Sequence, residues 1–141
     1  MALDISSYKR AIAQLEAYFQ LAESDVAGTD DTHSRALRAG AIQAFEYTYE
    51  LAIKTLRRYL EEVDASPGVI QAMSFNELIR KGYEEDLLQA ELSEWQQFRK
   101  SRGTTSHGYD EDKAQFVYEN IPAFLAEAQF LRNELENRLG K

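Results

Sequence analysis

Apolar residues in this chain recur at alternating intervals of three and four, and that spacing restricts the fold more than any other feature. Ile5, Tyr8, Ile12, Leu15, Phe19, Ala22 and Val26 form one such series. Ala114, Val117, Ile121, Phe124, Ala128, Leu131 and Leu135 form another. A helix turns about 100° per residue, so each series lands on one face, whereas a half-buried strand needs strict alternation. No window alternates for long, and no strand is expected. Residues 34–63 carry two adjoining stripes, one through Leu37, Ala41, Ala44, Thr48, Leu51 and Thr55, the other through Phe45, Ala52, Leu56 and Tyr59. A face that wide must meet more than one partner helix. The small residues of "RAGAIQA" let a neighbouring backbone approach closely.

Punctuation divides the helices. Gly28 stops the first, and an Asp, Thr or Ser of "TDDTHS" caps the second. "DASPG" at 64–68 reads as a turn, because Pro67 followed by Gly68 suits type II geometry. In "SFNELIRKG", Ser74 and Glu77 have capping-box spacing and Gly82 lies where a C′ glycine belongs. A fourth helix is expected from Glu84 to Arg102, with Leu88, Leu92, Trp95 and Phe98 on related faces. Asp110 is the cap of the last helix, Pro122 predicts a kink or restart within it, and Gly140 ends it. The expected architecture is all-α: an antiparallel up-and-down bundle of four long helices plus one short one, in a single domain over residues 1–141.

Bulk properties narrow the class. No stretch approaches the roughly 18 apolar residues of a transmembrane helix, and "MALDISSYKR" lacks the layout of a signal peptide. With no cysteine, disulfides and thiolate metal sites are excluded. These features point to a cytoplasmic protein away from membranes. A net charge of −8 argues against a general nucleic-acid binder. The charge is unevenly spread, however. "EEDLLQAELSE" at 84–94 carries five acids and no base, whereas "QQFRKSRGTTSHGY" at 96–109 carries Arg99, Lys100 and Arg102 and no acid. Acids early and bases late in one helix also suit its dipole, so the pattern alone has a purely structural explanation.

The basic run leads into "RGTTSHGY", residues 102–109, which holds one of only two histidines. His107 can exchange a proton near neutral pH, and Arg102 offers a fixed planar cation suited to phosphate oxygens. Those groups suffice for RNA cleavage without a metal: a base takes the 2′-hydroxyl proton, a cation stabilises the phosphorane-like charge, and an acid protonates the leaving oxygen. Base and acid are ideally two groups, and a two-fold homodimer would bring two copies of His107 together. On a continuous helix Arg102 and Tyr109 share a face, while Arg102 and His107 lie roughly 140° apart. A break at Gly103 or Gly108 brings all three together. Equally, His107 can cap a helix end and Tyr109 can pack in a hinge.

Other residues invite blander readings. His33 in "DDTHSR" reads as a solvated loop histidine. Glu46 and Glu50 could be a carboxylate pair for a metal, but no Glu-x-x-His partner exists elsewhere in the chain. Tyr47 and Tyr49 cannot share a helix face, so one is core or interface and the other exposed. Trp95 reads as a core anchor rather than a base-stacking platform.

"RGTTSHGY" resembles the R-x4-H-x-Y form of the R-x4-6-H motif of HEPN domains. "RAGAIQAFEYTYELAIKTLRRYL", "SFNELIRKGYEEDLL" and "WQQFRKSRGTTSHGYDEDKAQFVYENIPAFL" are similar in order and spacing to the nucleotidyltransferase substrate-binding proteins, the HepT-like branch of that superfamily. The resemblance runs from about residue 5 to 138. It implies a homodimeric RNA-cleaving toxin, acting without a cofactor or metal, whose partner and antitoxin is a minimal nucleotidyltransferase. Carried onto this chain, the catalytic residues are Arg102, His107 and Tyr109, with Tyr109 also the AMP acceptor. Arg99, Lys100 and Ser106 are the expected substrate-binding residues beside them. Related sequences place a polar residue, often Asn, directly after the arginine, where this chain has Gly103. Two alternatives stay open: a non-catalytic subunit presenting a nucleotide or other substrate to the nucleotidyltransferase, and a purely structural bundle in which changes at 99–109 alter stability alone.

Overall fold

The computed structural model describes residues 3–24, 31–104 and 111–140. They form six helices: α1 (Ser6–Ser24), α2 (Asp31–Val63), α3 (Pro67–Gln71), α4 (Phe75–Glu84), α5 (Leu92–Thr104) and α6 (Glu111–Leu139). No strand occurs among the described residues.

Contacts between helices set their directions. The Tyr8 hydroxyl donates to the Ala128 carbonyl at 2.8 Å, Lys9 pairs with Glu136 at 2.7 Å, and the Tyr118 hydroxyl donates to Glu23. Helices α1 and α6 are therefore antiparallel. Arg38 donates to Gln115 at 2.9 Å and pairs with Glu111, while Phe45 meets Phe124, so α2 and α6 run parallel. Trp95 bonds Glu127 and Asn120 bonds Ser101, which makes α5 antiparallel to α6. The long helices α1, α2, α5 and α6 thus alternate in direction, as an up-and-down bundle requires.

Several boundaries differ from those expected. Helix α2 begins at Asp31, so His33 lies exposed on its first turn rather than in a loop. Pro67 does not make a type II turn; it opens α3, where its missing N–H costs nothing. The Ser74–Glu77 capping box forms as expected, but Gly82 lies inside α4 and not at its end. A Cβ at Gly82 would stand 2.9 Å from Leu88 Cδ1 and 3.2 Å from Leu56 Cδ2, so glycine is there for packing. Asp86, at φ +62°, ends α4 instead: its N–H donates to the Tyr83 carbonyl and the Leu87 N–H to the Gly82 carbonyl, a Schellman arrangement. Helix α5 consequently starts at Leu92, not Glu84, and residues 85–91 form a loop that buries Leu87, Leu88 and Ala90. Helix α6 continues through Pro122 without restarting, with Ile121 and Phe124 on either side fully buried.

Buried residues of all six helices join in one core. Its hub is Phe124, whose ring centroid lies 5.0 Å from Phe45, 5.4 Å from Phe98 and 6.2 Å from both Trp95 and Tyr49. Trp95 is the core anchor that the sequence indicated, only 1% exposed. One turn beyond Phe124, the buried carboxylate of Glu127 accepts from Trp95 Nε1 at 2.8 Å and from the backbone N–H of Ala90 at 3.1 Å and of Gln89 at 3.3 Å. Burial pushes this carboxyl above the usual range, and the N–H donors pull it back. Glu127 thus holds the middle of the irregular 85–91 loop, while Arg138 Nη2 donates to the Glu85 carbonyl at its start at 2.8 Å.

Replacing Glu127 with Ala strands two buried donors, and we expect a loss of about 2–4 kcal/mol, read as a lower urea midpoint at unchanged m-value. Glu127→Gln, which keeps one acceptor oxygen, should lose less.

Candidate functional site at the C-terminal end of α5

The inner face of α5 carries Trp95, Phe98 and Ser101, all buried, which turns Arg99, Lys100, Arg102 and Gly103 outward. Ser101 accepts from Asn120 of α6 at 3.2 Å, locking the rotation of this last stretch. Ser106, His107, Tyr109 and Asp110 lie outside the described residues.

Three of the sequence-predicted residues can be placed, and they do not all face one way. The Arg99 guanidinium sits 4.8 Å from the centroid of Phe75, the first residue of α4. Lys100 Nζ stands 5.6 Å from the Phe116 ring on α6. Arg102 turns to α2, where its Nε donates to Glu50 Oε2 at 2.8 Å. This contact uses Nε of a planar guanidinium, a group whose fork of N–H donors suits carboxylate and phosphate oxygens.

Both charge partners of Arg102 lie one turn apart on α2. Burial raises the Glu46 carboxyl, Arg102 opposes the shift, and Glu50 adds to it. Tyr49, 6% exposed, has its hydroxyl pushed up to about 12 by burial. Tyr47 is the exposed member of that pair. Sequence alone marked Glu46 and Glu50 only as an i, i+4 carboxylate pair. Their counterion comes from 52 residues further along the chain, a pairing that periodicity cannot disclose.

Comparison with known proteins gives this geometry a context. The sequence family described as nucleotidyltransferase substrate binding protein like matches residues 3–137. The chain belongs to that family. A curated relative from Haemophilus influenzae, named probable ribonuclease HepT, is 39% identical over 102 residues, covering 72% of this chain and 69% of the relative. A solved Haemophilus influenzae structure, described as revealing the fold of a substrate binding domain of a nucleotidyltransferase, superposes with a TM-score of 0.85 at 32% identity. That match covers 94% of this chain and 99% of the other. Among the described residues, no atom lies within 4 Å of a Cβ built at Gly103.

The Arg102–Glu50 pair is one-third and 59% exposed at its two side chains, so it should contribute less than about 1 kcal/mol to folding. Glu50→Ala is expected to leave the thermal midpoint within about 2 °C of the parent. Arg102→Ala should move the Glu46 carboxyl further up, because it removes the cation that favours the ionised form. Glu50→Gln should move it down. Carboxyl carbon titrations by NMR read both signs.

Proposed function

We propose that this protein is a metal-independent endoribonuclease, the toxin of a toxin–antitoxin pair whose other member is a minimal nucleotidyltransferase. The observation that carries the reading is the setting of Arg102. It sits at the exposed end of α5, tethered through Nε, five residues before His107 in the R-x4-H-x-Y segment. The relative named probable ribonuclease HepT supports the same activity.

In this mechanism His107 exchanges protons with the 2′-hydroxyl and the leaving 5′-oxygen, and Arg102 stabilises charge on the phosphate in flight. Tyr109 positions the substrate and accepts AMP from the partner enzyme, which blocks the cleft. Arg99, Lys100 and Ser106 hold the flanking RNA. A homodimer supplies the second histidine, so that one copy acts as base and the other as acid. The protein acts in the cytoplasm, where its RNA and its partner reside. The family description favours one second reading, a non-catalytic subunit that binds a nucleotide or another substrate for the nucleotidyltransferase.

Purified protein should cleave a mixed RNA pool in EDTA, and His107→Ala and Arg102→Ala should each lower the rate at least about 100-fold. Intact RNA from wild-type protein whose mass shows no AMP on Tyr109 would overturn the nuclease in favour of the binding subunit.

A further inference from the structure

A groove of about 420 Å³ runs along α2 between Tyr49 and Phe75, floored by Ile53 and flanked by Lys54, Arg57 and Arg58. It adjoins the α5 end on two sides. Arg99 covers the ring of Phe75, and Glu50, which also lines the groove, holds Arg102. In a chain of net charge −8, the groove and the adjoining α5 end gather five cations, Lys54, Arg57, Arg58, Arg99 and Arg102, against Glu46, Glu50 and Glu61. Glu50 offsets Arg102, with which it is paired, but the acids are outnumbered and the strip stays net positive. Arg57 is also committed: its Nη1 donates to the carbonyls of Ile70 at 2.9 Å and Met73 at 3.1 Å, which pins the α3–α4 connection beside the groove. Among the described residues, Lys54 and Arg58 make no such bond, and both are exposed.

We propose that this groove binds the single-stranded RNA flanking the scissile phosphate, with Lys54 and Arg58 on backbone phosphates and the Arg99–Phe75 pair as the ledge for an unstacked base. The proposal rests on the nuclease reading and extends it to residues of α2 and α4. Three features fit one ligand chemistry. Lys54 and Arg58 are four apart, on one face of a rigid helix, so they present two charges about 6 Å apart along its axis. A guanidinium plane beside an aromatic ring is a surface on which unpaired bases stack. The groove is open and shallow, with charged walls, as a strand passing through requires and a buried small-molecule pocket does not.

The test measures binding of a labelled single-stranded RNA by anisotropy across a salt series, in a His107→Ala background so that cleavage does not intrude. Lys54→Glu/Arg58→Glu should weaken binding at least about tenfold. It should also flatten the log–log salt dependence by about 0.7 for each phosphate that is no longer neutralised. Lys9→Glu/Arg10→Glu, the same charge reversal on α1, should leave both nearly unchanged. Equal weakening by the two double variants would show bulk charge at work and overturn the proposal. So would unchanged affinity in the groove variant, no RNA binding by the His107→Ala parent, or a changed oligomeric state, which would place the groove between copies. Lys54→Gln/Arg58→Gln replaces the reversal if circular dichroism shows reduced helix. Cleavage by wild type with undiminished binding by the groove variant rejects the groove and leaves the nuclease standing. No cleavage together with the salt-dependent weakening rejects the nuclease and leaves a strand-binding groove.

Discussion

Phe124 is where three helices are made to agree. Its ring touches Phe45 and Tyr49 of α2 and Trp95 and Phe98 of α5, mostly edge to face, the arrangement aromatic quadrupoles favour. Because all four partners are large and flat, small rotations of α5 about its own axis would open gaps on one side and clashes on the other. Glu127 then tightens the same joint from one turn away, through the indole N–H of Trp95. With α5 fixed against α2 in this way, Arg102 arrives within hydrogen-bond distance of Glu50. The site thus inherits its geometry from the core, although its own charge pair is exposed and weak.

That division of labour accounts for the charge pattern. The acids of 84–94 are not the first turns of a long helix ending in bases. They belong to the end of α4, to the loop, and to the first turn of α5, where Glu94 reaches back to the Glu91 N–H. The dipole explanation therefore covers Glu94 among the acids and Arg102 among the bases. The bases of 99–102 are also defined by what they face: an aromatic ring, a second aromatic ring and a carboxylate. An acidic surface elsewhere does not prevent this. Against an acidic surface, a local basic strip is where a polyanion would meet less repulsion.

Much of the bundle was legible from residue spacing. The stripes of α1, α2 and α6 predicted their buried faces, with Tyr8, Ile12, Leu15, Phe45, Leu56, Val117 and Leu131 all at 1% exposure or less. The capping box at Ser74 and Glu77 was equally plain, because both of its bonds lie within four residues. What misled was punctuation whose outcome depends on distant partners. Gly82 looked like a helix end but is an interior close approach to Leu88, and "EDLLQAE" looked helical although Glu127, some 37 residues away, holds its free N–H groups. Of the kink or restart that Pro122 suggested, the restart does not occur: α6 continues, with Ile121 and Phe124 buried on either side.

The sequence by itself determined the helical class, the faces that turn inward, the family, and the placement of a basic run directly ahead of His107. These follow from local chemistry: periodicity, capping and charge are set by residues within a turn or two of each other. Tertiary structure alone decided that Glu50 restrains Arg102, that Arg99 and Lys100 face different neighbours, and that Lys54 and Arg58 share a groove with Phe75. Such pairings join elements far apart in the chain. Their geometry depends on how the aromatic core sets one helix against another, and no local pattern encodes that.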